Sequence, residues 1–283
     1  MQRPLKIAIL DMYNNFPGEG MRCIIKLVNE FQEREGVNIE TEIFNVRAEN
    51  KIPDLSHDIY ISTGGPGSPL ELGESWEKPY FKFINSLFHH NDSEKVKSGE
   101  STKKYMFLIC HSFQLVARHL RIGIITKRKS TAFGVFPVNQ IDKTIHEEFF
   151  EGLPEPFFVV DSRDYQLVTP NKKRIKELGV TILRMEKERP HVNLEQAIMA
   201  IRFSNEVFGT QFHPEADAEG MLKYFKREDK KEAIIKNHGI EKYNDMVDKL
   251  DDSDKILLTE SIILPSFLRN ATNSILQQNL ILC

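Results

Sequence analysis

The sequence predicts an α/β protein with a mainly parallel sheet flanked by helices, added antiparallel strands and a C-terminal helical extension. Three observations lead there. Up to Leu120, short apolar runs alternate with segments whose apolar residues recur at helical spacing. From Ile122 to Phe212 the apolar runs come close together with little helix between them. After Glu215 the chain turns to long, charged, turn-poor stretches.

Leu5 to Leu10 is a short apolar run suited to a strand buried on both faces. Pro17-Gly18 opens a helix with Met21, Ile24, Ile25, Val28 and Phe31 on one side. Ile39 to Phe44 alternates as a strand does, and Asp58 to Ser62 is another. The latter runs into Thr63-Gly64-Gly65-Pro66-Gly67-Ser68-Pro69, whose composition admits only a loop. A helix with Phe81, Ile84 and Phe88 inward follows. His89 to Lys104 reads as a polar surface loop.

Tyr105 to Ile109 is the next buried strand, and His111 to Leu120 the helix after it. Antiparallel strands are expected at 133–138, 157–160, 180–185 and 197–203, with a helix at Lys172–Leu178 and a last strand at Val207–Phe212. Asp229 to Asp254 is dense in Lys, Glu and Asp, and Pro265 is expected to break the final helix. These readings divide the chain into one unit over 1–217 and a helical extension over 218–283. No internal repeat is visible.

A chain of 283 residues, 40% apolar and 28% charged, can bury a full core as an ordinary globular protein. A net charge of −3 gives no electrostatic case for nucleic acid or an anionic membrane. The basic clusters Lys127-Arg128-Lys129 and Lys172-Lys173-Arg174 are short and diluted by acids. Met1-Gln2-Arg3-Pro4 leads straight into a strand, so no secretory leader is read, and no apolar run reaches the ~18 residues of a membrane span. Cys23, Cys110 and Cys283 are too scattered for a disulfide framework or a four-cysteine metal site. The expectation is a cytoplasmic protein without metal or cofactor, in which an isolated cysteine is either core filler or chemistry.

Cys110 is the candidate for chemistry. It sits where the strand Tyr105–Ile109 becomes the helix from His111, so its thiol would project above the carboxyl edge of the sheet. Unpaired amides at the helix start favour a thiolate there, and an imidazolium beside it would favour it further. Downstream, Gly209-Thr210-Gln211-Phe212-His213-Pro214-Glu215 supplies the partners. Proline holds His213 extended, and residues two apart in extended chain share a side, so Glu215 can orient the His213 imidazole. Gly64-Gly65-Pro66-Gly67 lacks the Lys-Ser/Thr of a phosphate loop, but its glycines let backbone approach a substrate closely.

With these blocks in view, the chain resembles the class I glutamine amidotransferases of the triad type, and is similar to the glutaminase domain of GMP synthase. The resemblance covers Leu5 to Asp217. It rests on Ser62-Thr63-Gly64-Gly65-Pro66-Gly67-Ser68, Ile109-Cys110-His111-Ser112-Phe113-Gln114 and the His213-Pro214-Glu215 block. It implies a flavodoxin-like sheet and a Cys110–His213–Glu215 triad. It further implies an oxyanion hole from the amides of Gly65 and His111, and contact of Gln114 and Gly64 with substrate. Asp161-Ser162-Arg163-Asp164 falls where relatives read the amino-acid end of glutamine. The chain departs from the Gly-x-Cys-x-Gly pattern by having Leu108 and Ser112, and the bulk of Leu108 bears on where the thiol sits.

The leading functional expectation is hydrolysis of the γ-amide of glutamine through a cysteine thioester, with ammonia passed to a separate synthase subunit. The alternatives are a stand-alone hydrolase of γ-glutamyl amides or peptides, and a catalytically weak binding protein that keeps the fold.

Overall fold

The computed structural model describes residues 3–142, 144–188, 194–248, 250 and 255–282. Cys283 lies outside them, as does part of the charged stretch before Asp254. In chain order the elements are β1 (Leu5–Asp11), α1 (Gly20–Glu35), β2 (Ile39–Asn45), α2 (Val46–Glu49), β3 (Ile59–Ser62), α3 (Glu77–Asp92) and α4 (Glu94–Lys97). There follow β4 (Tyr105–Ile109), α5 (His111–His119), β5 (Ile124–Gln140), β6 (Phe157–Val168), α6 (Lys172–Leu178), β7 (Thr181–Glu186), β8 (Ile198–Arg202) and β9 (Val207–Thr210). The chain continues as α7 (Ala218–Lys226), α8 (Glu228–His238), α9 (Ile240–Asp248) and α10 (Ile256–Leu282).

The strands form one sheet in the order β2-β1-β3-β4-β9-β8-β7-β5-β6. From β2 to β9 every pairing is parallel. From β9 to β6 every pairing is antiparallel. The apolar runs that predicted doubly buried strands are doubly buried, and their alternation sorts them between two cores. Ile7, Ile9, Ile59, Ile61, Phe107 and Ile109 face α1 and α10. Ala8, Leu10, Tyr60, Met106 and Leu108 face α3 and α5. The chain leaves β1 first toward β2 and then toward β3, and the reversal of strand order lies between β1 and β3, the place beside which open α/β sheets usually bind ligands.

Two expectations are corrected. His89–Lys104 is not a loop throughout: α3 runs to Asp92 and α4 adds another turn. Asn91, buried, exchanges hydrogen bonds with both the amide and the carbonyl of Lys104, which ties the stretch down. Pro265 does not break the last helix; α10 is continuous across it. Proline forfeits one helical hydrogen bond. Burial of Ile263, Leu264, Phe267 and Leu268, each at most 2% exposed, outweighs that loss. Phe267 stacks edge-on against Phe107 at 5.2 Å between centroids. Thr259 donates to the Phe158 carbonyl at 2.6 Å, and Lys26 of α1 pairs with Glu260 at 2.8 Å. No helix of the described residues is long and apolar enough to cross a membrane.

Candidate active site

Cys110 ends β4 with its amide still in the sheet, donating to Thr210 O at 2.8 Å, while its carbonyl accepts the first turn of α5 from Gln114 N at 3.0 Å. Serving both elements at once forces φ to 45°, a left-handed value that side-chain-bearing residues seldom adopt. Such strain, held by structure on both sides, is a common mark of a functional turn. The sulfur lies 3.8 Å from Ser162 O, to which it donates, and 3.6 Å from Gln211 Nε2.

After β9 the chain bends at Gln211 and Phe212, and His213 then bridges to β6, its amide donating to Val160 O at 2.9 Å; Pro214 and Glu215 turn the chain away from it. Its Nδ1 is 2.8 Å from Glu215 Oε1. A carboxylate oxygen only accepts, so Nδ1 carries the hydrogen of that bond. Glu215 is fully buried, and its Oε2 has no partner among the described residues. Burial alone would push the His213 imidazole toward neutrality, but Glu215 and then Cys110 hold its pKa well above the ordinary value.

The glycine loop after β3 closes over this pair. A Cβ on Gly64 would stand 2.8 Å from His213 Cε1 and 3.6 Å from Cys110 Cβ, so only glycine lets the backbone pass between them. A Cβ on Gly65 would meet Met12 O at 2.2 Å. Arg47 secures the loop from outside, donating to Met12 O at 3.1 Å and to Pro66 O at 2.5 Å. Among the described residues the amide hydrogens of Gly65 and His111 reach no acceptor.

The two departures from Gly-x-Cys-x-Gly have local explanations. Leu108 sits opposite Gly209 in the β4–β9 ladder, and a Cβ on Gly209 would be 3.1 Å from Leu108 Cβ and 3.0 Å from Phe113 Cδ2. The leucine occupies space that the glycine leaves, and it is fully buried in the core beneath α5. Ser112 donates to Thr63 O at 2.6 Å and shares a 2.7 Å hydrogen bond with Ser62 Oγ. Its hydroxyl therefore fastens the first turn of α5 to the root of the glycine loop.

Gln114 is almost completely buried and does not face open space. Its Nε2 donates to Tyr165 O and to Gln211 Oε1, both at 2.9 Å. The segment of β6 beside the sulfur carries a buried ion pair, Arg163 Nε to Asp161 Oδ2 at 2.9 Å. Burial pushes the Asp161 carboxyl up, against the pull of Arg163 and His213. His111 presents an amide to the site but not a charge. Its ring is 2% exposed, and burial beside Arg47 and Arg118 lowers its pKa to about 3.

The sequence reading assigned no role to Gln211 or Tyr13. Tyr13 turns inward from an Asx turn, its amide held by Asp11 Oδ1 at 2.7 Å. A Cβ on Gly20 would fall 1.9 Å from the Tyr13 hydroxyl and 3.4 Å from Glu215 Oε1, which places that hydroxyl beside the carboxylate. The signal for Gln211 was its place within the histidine block; for Tyr13 the sequence offered none. Among the described residues no group of three or more His, Cys, Asp and Glu side chains is placed to hold a metal ion.

Residues 24–231 match the model of the family described as glutamine amidotransferase class-I. No curated protein matches the chain. Among solved structures, a glutamine amidotransferase from Thermotoga maritima superposes with a TM-score of 0.61 at 14% identity, over 96% of this chain and 100% of that one. The glutaminase domain of Trypanosoma brucei CTPS, with bound acivicin, gives 0.55 at 13%, over 75% and 86%. A glutamine amido transferase from Methylobacillus flagellatus gives 0.52 at 13%, over 80% and 76%. At such identities these likenesses speak for the fold.

Proposed function

Because the chain belongs to the class-I glutamine amidotransferase family, whose domains hydrolyse the amide of glutamine, we propose that it does so through Cys110, His213 and Glu215. The observation that carries the reading is the 2.8 Å His213–Glu215 pair facing Cys110 across Gly64. His213, with its raised pKa, is held as imidazolium next to the sulfur.

The Cys110 thiolate attacks the γ-carbon of glutamine, and the carbonyl oxygen becomes an oxyanion between the amides of Gly65 and His111. The C–N bond breaks as His213 gives its proton to the nitrogen, and ammonia leaves. Water then attacks the γ-glutamyl thioester while His213 takes a proton from it. The C–S bond breaks, the thiolate returns and glutamate departs. Glu215 keeps the imidazole in one tautomer and orientation throughout. Neutral His111 adds no second cation to compete for the thiolate.

We further assign residues 1–217 as the catalytic unit, and ammonia to an acceptor enzyme on a separate polypeptide in the cytoplasm, where free thiols persist. Helices α7–α10 pack against the faces of the same sheet, with Phe225, Ile234 and Met246 on Val135 and Val160. The experiment is release of glutamate from glutamine by the full chain, with Cys110→Ala in parallel and γ-glutamyl peptides as competing substrates. Release lost in Cys110→Ala supports the triad. Turnover of peptides but not glutamine would replace it with the stand-alone hydrolase. No turnover, together with no labelling of Cys110 by a glutamine-analogue electrophile, would leave a binding protein.

A further inference from the structure

Among the described residues, the sulfur of Cys110 has one side-chain donor within reach that the triad does not use, the amide of Gln211 at 3.6 Å. Side-chain amides are ambiguous, because nitrogen and oxygen can be exchanged by a half-turn. Here the ambiguity is removed from outside. The Tyr165 carbonyl is backbone and only accepts, so the end of Gln114 that faces it must be the NH2 group. That same nitrogen faces Gln211, so the near end of Gln211 must be its oxygen. The far end of Gln211 is then its NH2 group, and it points at the sulfur. All three residues are buried, with Gln211 at 0%, Gln114 at 3% and Cys110 at 5% exposure, so water does not compete for these bonds. The Gln211 backbone is fixed as well, its amide donating to Met199 O at 2.8 Å.

We propose that Gln114 and Gln211 form an oriented amide relay that presents an N–H donor to the Cys110 sulfur. Gln211 is a catalytic residue in contact with the reacting atom, and Gln114 is its positioning residue. The proposal rests on Cys110 being the nucleophile. The donor favours the thiolate over the thiol, and it opposes Ser162 O, which accepts from the thiol and favours the protonated form. Swapping the ends of Gln211 would turn an oxygen toward the sulfur and repel the thiolate. Gln114 prevents that swap.

The test uses the full chain as wild type, Gln211→Met, Gln114→Met and the double variant, with far-ultraviolet circular dichroism confirming folding. Gln211→Leu is held in reserve should the methionine variant fail to fold. Two quantities are read: the rate at which iodoacetamide alkylates Cys110 at pH 7, followed by peptide mass spectrometry to separate it from Cys23 and Cys283, and kcat and KM for glutamine. A hydrogen bond to a charged atom carries enough free energy for a change on the order of tenfold. Gln211→Met is expected to slow alkylation and kcat by about that factor with KM unchanged. Gln114→Met is expected to act in the same direction, and the double variant to be no slower than Gln211→Met alone, since the two act as one unit.

Alkylation of Gln211→Met at the wild-type rate would overturn the relay. So would a Gln114→Met variant with raised KM and unchanged alkylation, which would assign Gln114 to the substrate instead. A wild type that hydrolyses no glutamine but shows the alkylation differences would sink the glutaminase reading and leave the relay standing.

Discussion

Replacing Gly64 by alanine tests the geometry of the site at one atom. The new Cβ would arrive 2.8 Å from His213 Cε1, against roughly 3.6 Å for an ordinary carbon–carbon contact. Something must therefore move by about 0.8 Å. His213 is held at its backbone amide by Val160 O and at ring Nδ1 by Glu215, so retreat of the ring breaks the Nδ1 bond or tilts the imidazole away from Cys110. Gly64 does not adopt a left-handed φ, so the alanine backbone itself is unstrained and the effect is steric. A misplacement of ~1 Å in a reacting group costs on the order of a hundredfold in rate, about 2.7 kcal/mol of barrier. Glutamate release is the assay, with the urea midpoint as a control on folding. Gly18→Ala serves as a neutral reference, since a Cβ there meets nothing within 4 Å. If Gly64→Ala keeps kcat/KM within threefold of wild type, His213 is not the group the loop holds against the sulfur.

Two further outcomes follow from the same packing. His111 is held neutral in the fold at a pKa of about 3, against 6.5 in the unfolded chain, so the unfolded state takes up its proton first as pH falls. Stability from this group is present above pH 6.5 and lost on the way to pH 3, about 2 kcal/mol of it by pH 5. Urea denaturation at pH 7 and pH 5 should show a pH-dependent loss that is smaller in His111→Gln by that amount, and identical losses would contradict it. Phe267→Ala removes a ring that is 2% exposed and packed on Phe107 and Phe149, and is expected to cost about 3–5 kcal/mol. A loss under ~1 kcal/mol in the same denaturation experiment would mean that α10 does not share the core of the sheet.

How much was legible beforehand depended on the range over which each signal acts. The alternation of strands and helices up to Leu120 is a local signal, and the elements lie where periodicity places them except at His89–Lys104, where α3 runs on to Asp92 and α4 follows. The His213–Glu215 contact of 2.8 Å is as the sequence leads one to expect, but not by extended chain: Pro214 and Glu215 form a turn, closed by Ala216 N on His213 O at 3.3 Å, and the turn carries the carboxylate to the ring. Pro265 breaks a helix on propensity alone, and the core against which Leu264 and Phe267 lie overrides that preference. Neither the pairing of Gln114 with Gln211, 97 positions apart, nor that of Ser112 with Thr63 and Ser62 had a local pattern to announce it. The neutrality of His111 depends on its burial, beside Arg118 two turns on in the same helix and Arg47 brought in by α2, and neither the burial nor the Arg47 contact is encoded in spacing.

The order of strands in the sheet also sets an order in time. β9 slots between β4 and β8, yet it is made long after β4, and Gln211 follows Cys110 by 101 positions. At a synthesis rate of ~5–20 residues per second, a ribosome delivers the sulfur roughly 5–20 seconds before the strand that brings its imidazole. Until then the nascent thiol has neither His213 nor Gln211 beside it. On the proposed mechanism, the half-made chain carries the nucleophile without the groups that would activate it.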